Sequence, residues 1–434
     1  MMRDALLALG LLLSTASQLR PNGVPIGPGE ICLVIWITLM LGGMRNLLRS
    51  RVTPALARML VFWTLFTISL CLGSATAFAI SDVHDTDLFI HDILAYPLLA
   101  AVSFLSTVEP HAGCRIHRVA WLLTVFSVVF FSIQLASAWG LVVIPQIDPW
   151  YWDRLRGLSE NPNQLAIFCA MMTFLAIHFA EHAEGFGKRA VAAFCSILSM
   201  YVGRLTKSDT FGVILVSGLL LFAALKLRSW LLTSKRNIPV RSAAAGLIVV
   251  MLPIIAATSV LFANLIEVEA LDIAKEMAKG TRQETSETAN IRLDSWSHAI
   301  DRGIDSGMLG LGPGPHIEIP SVLVAARREA PEPKYIEHPQ VNGTPNFEAH
   351  NTFLDLFTQG GLIAVLSFTW LIATAFRSVY RSNLDALTLV VWSIMVLSIF
   401  HLIIRHPLFW FAIAFVLVAG TKARAPSFLL NRSK

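Results

Sequence analysis

The sequence predicts an all-α integral membrane protein with about twelve transmembrane helices and one large, partly helical loop between helices 9 and 10. Composition and length lead to this fold class. Of the 434 residues, 55% are hydrophobic and only 15% are charged, and the mean hydropathy is +0.63. These values exclude a water-soluble globule. Outside one polar stretch, 266–348, the chain is long enough for about twelve spans of roughly 20 residues.

The apolar runs follow one another with short connections. They centre near residues 10, 38, 68, 98, 130, 172, 196, 217, 254, 364, 393 and 414, and the seventh (191–202) is the weakest. The chain therefore divides into helices 1–9 (1–265), the polar loop (266–348), and helices 10–12 with a C-terminal tail (349–434). The first run resembles a signal peptide, but a second span follows at once, so we expect an uncleaved first helix.

The distribution of basic residues predicts the orientation. An even number of spans puts both termini on one side, and segments on that side hold more than half of the 34 Lys and Arg residues, including the runs 45–58 and 226–241. By the positive-inside rule both termini are cytoplasmic and the 266–348 loop faces outward. The net charge of +5 then reflects basic residues that face the anionic lipid of the inner leaflet. This placement argues against a nucleic-acid-binding protein.

The long loop has two parts. Its first part shows helical spacing over 265–280, and a second helix is expected over 288–304. Glycine and proline then dominate over 307–345, where we expect an irregular lid or cleft wall. Long loops of this kind usually carry function.

His350 lies where the polar loop becomes the tenth apolar run, and we expect it in the first helical turn. Backbone N–H groups at a helix start favour the neutral imidazole, which could accept a proton as a general base. The alternative is that His350 and Asn351 only complete a helix end at the membrane interface.

Arg292 begins the sequence RLDSW, in which Arg292 and Trp296 lie one turn apart on a helix face. An arginine there could bind a phosphate with two N–H groups. The alternative is a solvated arginine paired with Glu287 or Asp294.

Two further basic clusters fall on the same predicted side. Arg204 and Lys207 flank the turn before the eighth span, and Arg154 and Arg156 precede Asn163 at the start of the sixth. Each cluster alone is typical of an interfacial anchor or cap. Together with Arg292 and one histidine they outline an anion site, for which the pyrophosphate of a polyprenyl-linked sugar is a suitable ligand.

Four motifs occur in order: GLSENPNQLA, LTKSDT, RLDSW followed by LGLGPGPH, and AHNTFLDLFTQGGL. With the layout of about twelve spans and one late outer loop, the chain resembles the superfamily of O-antigen ligases and O-antigen and exopolysaccharide polymerases, which are bacterial polytopic membrane glycosyltransferases. Where ligases commonly place Ser-Arg before the eighth span, this chain has Ser208-Asp209. That difference favours a polymerase slightly over a ligase acting on lipid A core.

The resemblance implies a metal-independent inverting transfer without a cofactor. The enzyme would lie in the bacterial inner membrane with a periplasmic active site. The donor would be a glycan on undecaprenyl pyrophosphate and the acceptor a hydroxyl of another glycan or lipid. His350 would be the catalytic base; the expected pyrophosphate ligands are Arg292, Lys207, Arg204 and Arg156; Asn351, Trp296 and Asn163 would support them.

Two rival functions remain open at the level of sequence. Polyprenyl-phosphate-sugar transferases use outer-loop carboxylates, which Asp82, Asp85, Asp87 and Asp92 could provide, although their spacing with His84 and His91 fits no strong metal template and suits an acidic outer loop. A lipid-linked glycan flippase would need charges along a path through the membrane. The spans hold few, namely His178, and His401 with Arg405, which are typical packing or interface residues, although Arg405 could join the phosphate site.

Overall fold

The computed structural model describes residues 1–20, 26–43, 52–82, 86–108, 112–233, 281–318 and 347–422. These ranges are mostly helical. The helices are α1 (Met2–Leu13), α2 (Pro28–Leu41), α3 (Pro54–Ala79), α4 (Thr86–Thr107), α5 (Ala112–Ala138), α6 (Pro162–His182), α7 (Phe186–Leu205), α8 (Asp209–Thr233), α9 (Thr281–Asp305), α10 (Thr352–Arg381), α11 (Asp385–Phe400) and α12 (Pro407–Lys422). A short antiparallel hairpin pairs β1 (Trp150–Tyr151) with β2 (Arg154–Leu155).

A helix occurs at each predicted apolar run that falls within the described ranges. The ninth run, centred near residue 254, lies outside them. Within those ranges six helices are long and apolar enough to cross a membrane: α3, α4, α5, α6, α8 and α10. The chain is therefore a multi-pass helical membrane protein, while the total of twelve spans stays a prediction. Helices α1, α2, α11 and α12 have 12 to 16 residues, and a 12-residue helix is only about 18 Å long.

Several helices begin where the sequence offers a cap. Thr53 and Asn161 cap α3 and α6 through their side-chain oxygens, and each is followed by a proline at the first helical position. Proline is well placed there because it lacks the N–H that would otherwise have no partner. Glu30 accepts a 3.0 Å hydrogen bond from the N–H of Gly27 at the start of α2.

The core between the helices is rich in aromatic side chains. Phe62 and Trp63 of α3 lie with their ring centroids 5.1 and 4.5 Å from Trp410 of α12. Phe368 of α10 contacts the same group, 6.4 Å from Phe62. These contacts join helices far apart in sequence around the bundle.

Polar contacts show which connections between helices lie at the same end of the bundle. At one end, here called the upper end, Gln18 after α1 donates to the carbonyl of Gly157 before α6 at 3.0 Å, and Arg302 of α9 pairs with Asp82 after α3 at 2.6 Å. The other end contains the ion pair between Arg118 at the start of α5 and Asp4 at the start of α1. The starts of α1 and α5 therefore lie at the same end of the bundle.

The polar loop is more ordered near its middle than the sequence indicated. The helix expected over 288–304 is the longer α9, which runs from Thr281 to Asp305. The one expected over 265–280 lies outside the described residues. After it the glycine-rich segment is irregular, as expected, and ends in an isolated bridge between Ile317 and Phe347, with an N–H to O distance of 2.9 Å. That bridge joins the glycine-rich segment to the residues just before α10.

The tenth apolar run is not one continuous helix. Gly361 has φ +61° and ψ −157°, which divides α10 into a short first segment and a longer second segment. The glycine-rich turn enters the break: Leu311 and Gly312 donate to the carbonyls of Thr358 and Gln359, both at 2.8 Å. The freed helix carbonyls are thus satisfied by the turn.

Candidate active site

His350 lies at the upper end, immediately before α10. Asn351 is the N-cap and the helix begins at Thr352, so the expectation that His350 sits in the first helical turn is wrong. His350 has φ +51°, a left-handed conformation that is uncommon for a residue other than glycine. Asn351, which follows, is extended, and its side-chain oxygen accepts from the N–H groups of Phe353 and Leu354 at 3.0 and 3.3 Å.

Asp355, buried in the first segment of α10, holds this turn. Its Oδ1 accepts from the N–H of Ala349 at 2.9 Å and its Oδ2 from the N–H of Asn351 at 3.3 Å. The two bonds flank His350, so the carboxylate fixes the backbone that carries the imidazole. We did not identify Asp355 from sequence; an acidic residue just after a polar helix start is the signal that could have found it.

His350 is solvent-exposed, although enough protein surrounds its imidazole to displace part of the water there. The loss of surrounding water lowers the pKa of His350, Glu348 raises it, and the positive charge of Arg292 lowers it again; the net pKa lies below the usual value. The ring of Phe347 packs edge-on against it, with centroids 5.2 Å apart. His350 is therefore neutral at pH 7 and can accept a proton.

Arg292 approaches His350 from α9. One turn later, the indole N–H of Trp296 donates to the carbonyl of Ala349 at 3.1 Å, which fastens α9 to the residue next to His350. Arg292 is half-buried and makes no hydrogen bond or ion pair with any other described residue. Among the described residues its guanidinium therefore has no carboxylate partner, and its charge acts on His350.

His401, which sequence reasoning assigned to packing, lies beside the same group. Helix α11 ends at Phe400, so neither His401 nor Arg405 belongs to that helix as expected. Thr352 donates to the carbonyl of His401 at 2.6 Å, which joins this connection to the start of α10. Burial lowers the pKa of His401 to about 3, with further contributions from Arg292 and His350. Thr352 and His401 are 49 residues apart, and no sequence pattern predicts a contact over that distance.

Arg154 also faces this region. Its charge contributes to lowering the pKa of His401, and its guanidinium donates to the carbonyl of Thr206 and to Oδ1 of Asn163, both at 3.0 Å. Asn163 therefore orients Arg154. By contrast Arg156, the arginine favoured from sequence, pairs with Asp148 at 3.0 Å.

The other two expected phosphate ligands lie at the α7–α8 turn. Lys207, at φ +49°, forms an exposed ion pair with Asp153, and Lys207 lowers the pKa of that carboxyl. Arg204 is exposed in the last turn of α7. The structure brings Arg292 close to His350, whereas the described contacts of Lys207 lead to a carboxylate.

Arg405 is engaged by two carboxylates. It pairs with Glu348 and, at 2.6 Å, with Asp92, which is only 1% exposed and also accepts from the N–H of Gly314 at 3.2 Å. Burial disfavours its charge, but Glu348 and Asp92 outweigh that effect and raise the pKa of Arg405. Arg405 therefore ties the α11–α12 connection to the residues before His350.

Two of the four carboxylates that could serve the rival transferase function are engaged in ion pairs. Asp82 pairs with Arg302 and Asp92 with Arg405. Asp85 and the side chain of Asp87 lie outside the described residues. Among the residues that the structure does describe, no three His, Cys, Asp or Glu side chains are grouped to hold a metal ion.

Comparison with protein families matches residues 191–369 to the family model Wzy_C, described as O-antigen ligase. The matched range includes Arg292, Trp296, the glycine-rich turn and His350. No curated protein matches the chain.

Proposed function

We propose that this chain, whose residues 191–369 match the family model described as O-antigen ligase, transfers a glycan from undecaprenyl pyrophosphate to an acceptor hydroxyl at the periplasmic face of the bacterial inner membrane. The observation that carries this proposal is the neutral, exposed imidazole of His350 next to the guanidinium of Arg292, which has no carboxylate partner among the residues that the structure describes. One group can take a proton and the other can stabilise a departing phosphate. Inverting glycosyl transfer needs both.

In the proposed reaction His350 removes the proton from the acceptor hydroxyl while the oxygen attacks the anomeric carbon of the donor sugar. A new glycosidic C–O bond forms, and the bond between that carbon and the pyrophosphate oxygen breaks. Undecaprenyl pyrophosphate leaves with the electron pair, and Arg292 stabilises the negative charge that develops on it. The protonated imidazole then returns its proton to water or to the leaving group.

The backbone that carries His350 is held in place before substrate binds. Asp355 and Asn351 fix its backbone, and Trp296 fixes α9 against Ala349. Holding a base and a cation in place lowers the entropic cost of reaching the reactive arrangement. The proposal therefore assigns Asn351 and Trp296 to positioning, while Arg156 and Lys207, already paired with carboxylates, are left out of the reacting centre.

The test is a transfer assay with the purified full-length protein and a lipid-linked donor. Arg292→Ala and His350→Ala are each expected to lower kcat/KM by at least about a hundredfold, because each removes a group acting at the transition state. Arg292→Lys separates two-pronged phosphate binding from simple charge, since a lysine cannot present two parallel N–H groups. Full activity of His350→Ala would overturn the proposal.

Matched controls are available at exposed positions. His298 on α9 and Arg189 at the opposite end of the bundle are both solvent-exposed, and their alanine variants should retain wild-type activity. A chelator added in parallel tests the carboxylate-dependent alternative, for which activity would depend on a metal ion.

We propose a polymerase rather than a ligase, because the α7–α8 turn carries Ser208-Asp209. Deleting the gene separates the two. Loss of long glycan chains supports polymerisation, whereas accumulation of full-length lipid-linked chains would assign the protein as a ligase.

A further inference from the structure

Glu348 places a carboxylate two residues before His350. Loss of surrounding water lowers the pKa of His350, and Glu348 is close enough to raise it. An ion pair between these two side chains would favour the protonated imidazole further. Because a protonated imidazole cannot accept a proton, a free carboxylate at this position works against a base that acts near pH 7.

The carboxylate of Glu348 is bound to Arg405 instead. Arg405, in the α11–α12 connection, forms ion pairs with Glu348 and, at 2.6 Å, with Asp92 of α4. Glu348 and His350 are both among the described residues, and they form no ion pair with each other. The side chains of Arg405 and Glu348 are only 17 and 26% exposed, so water and salt screen their attraction less than at the surface.

Asp92 fixes Arg405 from a second side. The side chain of Asp92 is 1% exposed, and it also accepts from the N–H of Gly314 at 3.2 Å and lies 3.2 Å from the imidazole of His91. A buried carboxylate needs a cation beside it, which holds the guanidinium in place. The planar guanidinium presents several N–H donors in fixed directions. One arginine can therefore bind Asp92 and Glu348 at the same time.

The histidine next to Arg405 does not replace it as the cation for Glu348. Glu348 acts on His406, but loss of surrounding water has the larger effect and lowers the pKa of His406 to about 4. His406 is therefore neutral at pH 7. The charge that holds the carboxylate of Glu348 comes from Arg405.

Charged and titratable groups reach His350 from each element around it. Arg292 of α9 opposes its protonation. The carboxylate of Asp355 in α10 is engaged by the backbone N–H groups on either side of it. Burial lowers the pKa of His401, in the α11–α12 connection, to about 3, so that histidine is neutral at pH 7. Glu348 is thus the side chain in this set that favours protonation and that an ion pair keeps occupied.

We propose that Arg405 is a positioning residue of the catalytic centre, which holds the carboxylate of Glu348 away from His350 so that the imidazole stays unprotonated. This inference rests on the proposed function, in which His350 is the base. Arg405 need not contact either substrate. It acts through Glu348, and its second ion pair, with Asp92, keeps it in place.

The test follows the protonation of His350 itself. Diethyl pyrocarbonate modifies the unprotonated imidazole, and mass spectrometry of peptides gives the rate at His350 between pH 4.5 and 8 in the full-length protein. Arg405→Lys keeps a cation for the buried Asp92, but its single ammonium should leave Glu348 free. We expect the midpoint of the modification curve to rise by about 1 pH unit, and the decline of kcat/KM at acid pH to move with it.

Arg405→Gln removes the charge altogether and should move the midpoint in the same direction. It takes the place of Arg405→Lys if that variant does not fold. In the double variant with Arg405→Lys and Glu348→Gln, the midpoint should return to that of Glu348→Gln alone, because the carboxylate that Arg405 restrains is gone. A midpoint that stays high in the double variant would show that Arg405 does not act through Glu348.

Arg302→Lys is the matched control. Arg302 also pairs with a carboxylate at the upper end, that of Asp82 at 2.6 Å, and its replacement should leave the midpoint of His350 unchanged. The midpoint of thermal unfolding is measured for each variant. A purely structural role of Arg405 would lower the unfolding midpoint without moving the modification curve of His350.

The two proposals fail differently. If His350→Ala keeps full transfer activity, the proposed function is wrong, whatever the modification curves show. If His350→Ala loses activity but the midpoint of His350 in Arg405→Lys and Arg405→Gln equals that of wild type, or moves no more than in Arg302→Lys, only the role of Arg405 is overturned.

Discussion

Asp355 holds the backbone of His350 in its left-handed conformation from both sides. One carboxylate oxygen accepts from the residue before the histidine and the other from the residue after it, at 2.9 and 3.3 Å. The side chain of Asp355 is 3% exposed, so few water molecules compete for these bonds. The position of the His350 imidazole therefore depends on the carboxyl group of Asp355, which need not contact substrate itself.

Replacing Asp355 should lower transfer without removing the base. We expect Asp355→Ala to reduce kcat by at least about tenfold and to destabilise the protein by about 1–3 kcal/mol, since two buried N–H groups lose their acceptor. Asp355→Asn keeps one acceptor oxygen and should fall between wild type and Asp355→Ala. The measurements are single-turnover transfer and thermal unfolding. Asp294→Asn, exposed on α9, is the control, and an unchanged kcat in Asp355→Ala would show that the turn holds without it.

Much of the fold could be predicted because helices spanning a membrane must be long and apolar, a property that each segment carries in its own sequence. The break in α10 could not, because it depends on the glycine-rich turn of a distant segment reaching the carbonyls of Thr358 and Gln359. At the site, too, features that depend on neighbouring residues could be predicted, and features that depend on distant segments could not. The helix start at Asn351 follows from neighbouring residues, whereas the approach of His401 requires knowing how α11 packs on α10.

The spacing of Arg154 and Arg156 in the sequence does not predict which of the two is paired with a carboxylate. In a long strand, residues two apart lie on the same face, and the two arginines would be equivalent. Here β2 contains only Arg154 and Leu155, so Arg156 lies in the following turn and meets Asp148 instead. A hairpin this short has no sequence pattern that predicts its bounds.

Gly361 gives a second prediction, on the broken helix. Its φ of +61° strains any residue with a Cβ, and a Cβ there would overlap the carbonyl oxygen of Met308. Gly361→Ala should therefore destabilise the protein by at least about 1–3 kcal/mol and impair transfer, because the segment carrying the site would shift. Gly212→Ala in α8 is the control: its Cβ would meet nothing within 4 Å, and we expect a gain of about 0.5–1 kcal/mol. Thermal unfolding of both variants checks this, and similar effects would contradict it.

Arg405 should act on stability more than on donor binding. Its removal leaves the buried Asp92 with only the imidazole of His91 and the N–H of Gly314 as partners among the described residues, so Arg405→Met is expected to cost about 3–5 kcal/mol of unfolding free energy. The same change at Lys207, whose ion pair with Asp153 is exposed, should cost at most about 1 kcal/mol. Chemical unfolding in detergent compares the two. If Arg405→Met were as stable as wild type but failed to bind undecaprenyl pyrophosphate, Arg405 would belong to the phosphate site after all.

The pH dependence of transfer tests the role of His350 through its neighbours. A base must be unprotonated, and the pKa of His350 lies below its usual value of 6.5, so kcat/KM should be constant near pH 7 and fall as the pH drops below about 6.5. Glu348 raises the pKa of His350 and Arg292 lowers it. In Glu348→Gln the decline of kcat/KM at acid pH should therefore begin at a lower pH. In Arg292→Gln the activity that remains should begin to decline at a higher pH. Both shifts are read from kcat/KM profiles between pH 4.5 and 8. Shifts in the same direction in both variants, or an acid limb that persists in His350→Ala, would assign the proton transfer to another group.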